Sequence, residues 1–448
     1  MSGYLGVSDS GCLTKCSSRR RPGLLSPGSP GVGFQARSPG PLHRATSSRA
    51  LASSRRAGQR ASESSDLPSL LPCFRSLEVH SRIEVTQRWD YREGVIGGWL
   101  AGCHHTGCQH SLRAEMKPQA MGDQDLPGVL VSGFEGPYCI CEDHVGDLQK
   151  HFNLITMQEF LENKIQFGPR IQAVYIWGGK PAINQELLQS LPSLKIIASS
   201  GAGLDHLDLK LIASFGVKVA NTPHAVSNPT ADLGMALLLA AARRVVEGYQ
   251  LAISPDTENF YINFMGQEVT GATLGIIGMG SIGYKIAQRA KAFEMKILYH
   301  NRKCRKLEEE EAVGATYCER LDDLLQRSDF VMLAVSLTPQ TQRLIGRREL
   351  RLMKPTAILV NIGRGLLVDQ DALVEALQTG VIKAAALDVT YPEPLPRDHP
   401  LLKLKNIILT PHIGSATHQA RRQMMESSVE SILASLNGLP IPNEVLLK

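Results

Sequence analysis

Three glycines constrain this chain more than anything else in it. In Gly275-Ile-Ile-Gly278-Met-Gly280-Ser281-Ile282-Gly283 they stand at G-x-G-x-x-G spacing, directly after an apolar run, 273–277, that reads as a buried strand. The residues that follow read as a helix. The first glycine permits a tight turn, and the second lets the backbone approach a pyrophosphate. The third lets helix and strand pack closely, with the helix N-terminus facing the anion. A lone motif of this kind says little, and a glycine-rich turn without a ligand is its bland reading. Between a strand and a helix it has the context a phosphate-binding βα turn requires.

The rest of the pattern agrees. Short apolar runs at 129–133, 173–177, 195–198 and 217–220 read as strands, with helical patterns such as 207–215, stopped by Gly216, between them. A long apolar helix at 230–244 reads as a crossing between two domains. A second series has strands at 273–277, 296–299, 330–335, 357–362, 384–389 and 407–409. The last helix, about 416–436, closes at Asn437-Gly438 and is expected to return to the first module. Strands alternating with helices predict two doubly wound, parallel-sheet α/β domains.

Residues 1–125 read differently. The first 60 are rich in Ser, Arg, Gly and Pro and hold one acidic residue, Asp9. Such a stretch cannot bury enough apolar surface to order itself, so a disordered extension is expected. Its Ser/Arg bias resembles a mitochondrial transit peptide, but its Gly and Pro oppose an amphipathic helix. An upstream extension, with Met116 or Met121 as the working start, fits equally well. The expected location is cytoplasmic, or mitochondrial if residues 1–60 act as a transit peptide. Residues 1–125 carry 16 Lys+Arg against 10 Asp+Glu, and the remainder 32 against 33. The basic excess therefore lies outside the folded body and argues against nucleic-acid binding. No apolar run approaches the ~20 residues a membrane span needs. The nine cysteines are scattered, as suits a reducing compartment. Cys103-His-His-Thr-Gly-Cys108-Gln-His110 could supply four ligands, but no second Cys pair follows at finger spacing. No metal site is expected.

The strand after the glycine turn bears on the cofactor. An NAD-preferring site places Asp or Glu about 20 residues on, for the ribose hydroxyls. Here the strand ends Tyr299-His-Asn301-Arg302-Lys303, without a carboxylate. Arg302 and Lys303 suit a 2′-phosphate, so NADPH is expected, with NADH weaker.

Several further motifs follow in order: Gly201-Ala202-Gly203-Leu-Asp-His206, Asn221-Thr-Pro, Thr230-Ala-Asp-Leu233, Asn361-Ile362-Gly-Arg364-Gly365, Leu387-Asp388-Val-Thr-Tyr-Pro-Glu393-Pro394 and Pro411-His412-Ile-Gly414-Ser-Ala416. With these the chain, from about Val129 to its end, resembles the D-isomer-specific 2-hydroxyacid dehydrogenase family, and most of all its glyoxylate/hydroxypyruvate reductase branch. The resemblance implies a flavodoxin-like substrate-binding domain at 126–224, completed by 416–448, and a Rossmann NADP-binding domain at 225–415. It implies that Arg364 clamps the substrate carboxylate and polarises the ketone. His412 would be the acid/base and Glu393 its orienter. The Ala202-Gly203 backbone would receive the carboxylate, with Arg364 and His412 as further substrate contacts. Gly278, Gly280, Ser281, Ile282, Gly283, Asn301, Arg302, Lys303, Ser336, Ile362, Asp388 and Gly414 would line the dinucleotide, Asp388 at the nicotinamide amide.

The implied reaction is reduction of hydroxypyruvate to D-glycerate and of glyoxylate to glycolate, by a homodimer. A reductase of longer sugar-derived acids such as 2-ketogluconate is the alternative within the family. A dinucleotide-sensing corepressor-like scaffold is the alternative outside catalysis. The phosphoglycerate and formate dehydrogenase branches fit Asn301-Arg302 less well. Two departures stand out. Gly363 occupies a position where Ser or Ala is usual, and 254–270 carries Phe260, Tyr261 and Phe264 but no Trp. The acidic run 308–311 reads as a solvated helix face.

Overall fold

The computed structural model describes residues 126–135, 140, 142–259 and 263–446. The extension expected at 1–125, the Cys103–His110 cluster and the aromatics Phe260 and Tyr261 lie outside them.

Among the described residues, twelve strands form two wholly parallel sheets. The first takes β1 (Gly128–Val131), β2 (Asn153–Thr156), β3 (Ile171–Ile176), β4 (Ile196–Ser199) and β5 (Lys218–Asn221) in the order β2-β1-β3-β4-β5. The second takes β6 (Thr273–Ile277), β7 (Lys296–His300), β8 (Ala315–Tyr317), β9 (Phe330–Leu333), β10 (Ile358–Asn361), β11 (Ala384–Leu387) and β12 (Ile407–Leu409) in the order β12-β11-β10-β9-β6-β7-β8. This is the doubly wound architecture the alternation predicts. Successive side chains of a strand face opposite ways, so each sheet needs two cores. Leu274 and Ile276 of β6 pack into one, and Ile277 packs into the other.

Two strands were not legible as runs, β2 and β8, and both lie at sheet edges. β2 buries only Ile155 fully, and β8 has three residues, none fully buried. Partial exposure at these two edges removes the continuous apolar run that marks a strand buried on both faces. The crossing helix is Ser227–Ala242, three residues longer at its start than expected. Pro229 is tolerated there because a first-turn N–H has no helical partner. Arg244 turns left-handed (φ 55°) and a second helix, Val245–Ile253, follows with no buried residue.

The C-terminal helix His418–Leu436 returns to the first sheet, setting Met425, Val429 and Ile432 among Val129, Tyr175 and Ala198. Past Gly438 (φ 70°), Val445 N–H donates to Val219 O at 2.8 Å. Among the described residues no helix is long and apolar enough to cross a membrane, and no group of three metal-ligating side chains occurs.

Candidate active site

In a parallel sheet all strands end on one rim, and that is where this chain gathers its polar side chains. At the end of β6 the glycine turn has the shape the motif requires. Gly278 is left-handed (φ 94°), and a Cβ there would lie 2.6 Å from the Val335 amide nitrogen. A Cβ on Gly283 would collide with the Gly278 carbonyl oxygen, whereas one on Gly280 would meet open space. The helix Ser281–Ala292 starts at Gly280 with no side-chain cap. The first-turn N–H groups of Ser281, Ile282 and Gly283 thus lie beside open space, a cradle that fits a pyrophosphate.

Asn301, past the end of β7, braces that turn. Its Oδ1 accepts from Met279 N–H at 2.7 Å and its Nδ2 donates to Met279 O at 3.3 Å. Arg305, which sequence reading missed, donates to the same carbonyl at 2.8 Å, pairs with Glu309 and lies over the Tyr284 ring. Arg302 and Lys303 are exposed, and neither pairs with a carboxylate among the described residues. Ser336 lies past β9 with its carbonyl accepting from the Thr341 hydroxyl, and Ile362, past β10, is buried.

The second cluster gathers at the ends of β10, β11 and β12. Asn361 closes the loop after β10 by donating to Arg364 O at 2.8 Å and accepting from Gly363 N–H at 3.0 Å. Gly363 lies in a closely packed part of this loop. A Cβ there would lie 2.7 Å from Leu367 Cδ1, so the leucine fills the space a Ser or Ala would need. Arg364 donates through Nε to Asp205 Oδ1 at 2.9 Å and through Nη1 to Gly363 O at 2.9 Å. Its Nη2 occupies the place a Cβ on Gly203 would take. The substrate-loop glycine and the arginine are thereby brought together, although 160 residues separate them in sequence. Asn221 Nδ2 holds the Ala202 carbonyl at 2.9 Å, which fixes the loop from the other side.

His412 is left-handed (φ 55°), a conformation disfavoured for a side-chain-bearing residue and held here by hydrogen bonds. Its N–H donates to Asp388 O at 2.8 Å. The Asp388 carboxylate, 2% exposed, accepts from the Thr410 hydroxyl at 2.7 Å and from the Ile413 and Gly414 N–H groups at 2.8 Å each. His412 Nδ1 lies 2.9 Å from Glu393 Oε2, so Nε2 is the ring nitrogen not engaged by Glu393. Burial pushes the Glu393 carboxyl up. The His412 hydrogen bond and charge, the Thr390 N–H and the Arg364 charge outweigh it and hold the carboxyl below its ordinary value.

A parallel sheet with an uncapped glycine turn on the same rim as an arginine and a carboxylate-held histidine defines a dinucleotide-linked oxidoreductase fold. Residues 235–414 match the D-isomer specific 2-hydroxyacid dehydrogenase NAD binding domain. Over 325 residues the chain is 40% identical to glyoxylate/hydroxypyruvate reductase B of Enterobacter sp., covering 72% of this chain and 96% of that one. Over 268 residues it is 46% identical to glyoxylate reductase of Thermococcus litoralis, covering 59% of this chain and 80% of that one. The NADPH-dependent glyoxylate/hydroxypyruvate reductase of Sinorhizobium meliloti, solved with NADP and malonate, superposes with a TM-score of 0.64. It is 28% identical, and the match covers 72% of this chain and 97% of that one. The chain belongs to the D-isomer specific 2-hydroxyacid dehydrogenase family, in its glyoxylate/hydroxypyruvate reductase branch.

Proposed function

We propose that this chain reduces hydroxypyruvate and glyoxylate with NADPH as the preferred cofactor. The observation that carries the reading is the His412–Glu393 pair, with Nε2 left for substrate, on one rim with Arg364. The dinucleotide, when bound, supplies the hydride. His412 Nε2 gives its proton to the carbonyl oxygen as the alcohol forms, and takes it back in the reverse direction. Glu393 fixes the ring through Nδ1. Arg364 holds the substrate carboxylate and draws electron density from the ketone, and the Ala202-Gly203 backbone receives the same carboxylate.

Asp388 accepts three hydrogen bonds of the roughly four a carboxylate can take, which leaves one acceptor position for the nicotinamide amide. Asn301 supports the cofactor through the Met279 turn, while Arg302 and Lys303 offer two unpaired cations for a 2′-phosphate. Ser336, Ile362 and Gly414 line the dinucleotide. Residues 126–224 with 416–448 form the substrate-binding domain, and 225–415 the cofactor domain. The working form is a homodimer that buries the exposed face of the helix Val245–Ile253.

The test is oxidation of NADPH and NADH by the full chain with hydroxypyruvate, glyoxylate and 2-ketogluconate, with His412→Ala as control. Turnover that favours NADPH and is lost in the variant is expected. Best turnover on 2-ketogluconate would move the substrate class to longer sugar acids. Tight dinucleotide binding without turnover on any of the three would replace the reductase with a sensing scaffold.

A further inference from the structure

The Arg364–Asp205 pair joins two loops on different sheets, and it involves an aspartate to which no catalytic or binding role was assigned above. Asp205 lies past β4, in the loop that carries Ala202 and Gly203, while Arg364 lies past β10. Both side chains are partly covered, at 26% and 29% side-chain exposure. An exposed ion pair between two long flexible groups does little, but a partly desolvated, hydrogen-bonded one orients its members.

The geometry shows what is oriented. A guanidinium has five N–H donors in one plane. Nε–H is taken by Asp205 Oδ1 at 2.9 Å and one Nη1–H by Gly363 O at 2.9 Å. Two acceptors on different atoms fix the plane. The other Nη1–H and both Nη2–H groups remain for an incoming anion, and Nη2 lies against Gly203.

From this we infer that Asp205 is a positioning residue for substrate binding. It holds the Arg364 fork against the carboxylate-receiving loop, and so sets where the 2-oxo acid carboxylate docks. The inference rests on the reductase reading for its substrate class. Two opposing outcomes are physically open, because Asp205 is itself a carboxylate. As a positioner, it makes Arg364 a better clamp. As a competitor, it would occupy the arginine that substrate needs. The contact through Nε, on the side away from the Nη1/Nη2 edge, favours the positioner.

The experiment uses the full chain, Asp205→Ala and Asp205→Asn. Steady-state kcat and KM are measured for hydroxypyruvate and glyoxylate. Dinucleotide affinity is measured by fluorescence titration, and affinity of the dinucleotide complex for oxamate, an unreactive 2-oxo acid analogue, by calorimetry. Asp205→Ala is expected to raise KM and the oxamate Kd at least tenfold, with dinucleotide affinity changed less than twofold. Asp205→Asn, whose amide oxygen still accepts from Nε–H, is expected to recover most of that loss. Unchanged KM and oxamate affinity in Asp205→Ala would overturn the inference, and lowered values would make Asp205 a competitor instead. A wild-type chain that binds oxamate but turns over no 2-oxo acid would sink the reductase reading alone, leaving the oxamate comparison to judge Asp205. A wild-type chain that binds no oxamate would overturn both.

Discussion

Gly203 shows how tightly single residues set this site. A methyl group there would overlap Arg364 Nη2, and the flexible arginine, not the backbone, would yield. Gly203→Ala should therefore fold and bind dinucleotide normally yet lose about 100-fold in kcat/KM, some 2.7 kcal/mol of transition-state binding. Retained activity would show that the guanidinium works from another position. Glu393 makes a second case. Its carboxyl is held below the ordinary value despite burial, so it stays ionised through the neutral range as a charged acceptor beside His412 Nδ1. Glu393→Gln removes that charge while keeping an acceptor for Nδ1–H. Loss of that charge should lower kcat of the reduction roughly tenfold, with dinucleotide affinity changed less than about twofold; an unchanged kcat would assign Glu393 to packing. Arg364, Glu393 and His412 stood out as candidates because each stands in a motif with fixed neighbours. Asp205 and Arg305 did not, because their contribution is a hydrogen bond to a residue the linear pattern does not pair with them.

At the scale of elements, every central strand was legible, and of the four edge strands β5 and β12 were read while β2 and β8 were not. β4, β6 and β9–β11 are buried on both faces and read as apolar runs, whereas β2 and β8 expose a face. The acidic run 308–311 was read correctly as helix but only partly as solvated. Glu309 pairs with Arg305, and Glu310 accepts from the Tyr299 hydroxyl. Asp329, just before β9, is a junction that sequence reading passed over. Its Oδ2 accepts from Thr273 N–H at 2.9 Å and its Oδ1 from Lys354 Nζ at 2.8 Å, tying the start of β6 to the start of β10. Burial pushes this carboxyl up, and the Lys354 and Thr273 bonds with nearby lysine charge bring it below the ordinary value of 3.8. A depressed carboxyl contributes stability that is complete above its unfolded value and is lost as pH falls through its native value. Asp329→Ala should cost about 1–3 kcal/mol at pH 7 and flatten the acid side of the stability curve. Denaturant melts at pH 7 and pH 3 give both numbers, and equal losses at the two pH values would count against the ionised junction.

For the whole molecule, the two sheets are tied into one chain path by the crossing helix Ser227–Ala242 and by the return of His418–Leu436. That return was foreseeable from the order of elements alone. Among the described residues, the helix Val245–Ile253 buries none of its own. Val245, Tyr249 and Ile253 recur at four-residue spacing, so they form one stripe, with Val246 beside it. Tyr249 and Ile253 are 59% and 57% exposed, and Met265 is 70% exposed. Arg244 pairs with Glu247 and covers the Phe264 ring, so the polar groups at the start of this helix are satisfied while its apolar stripe is open. A continuous apolar stripe, unlike scattered single exposed side chains, marks an association surface. A two-fold pairing lets one stripe meet its own copy, so a single surface suffices and assembly stops at two. Light scattering should give twice the 48.9 kDa chain mass for the full protein. Tyr249→Glu with Ile253→Glu buries two carboxylates against apolar neighbours in any such dimer, yet leaves them solvated in a monomer. The double variant should therefore run as a folded monomer that still binds dinucleotide, since its glycine turn is on another element. A wild-type monomer, or a double variant that stays dimeric, would place the association surface elsewhere.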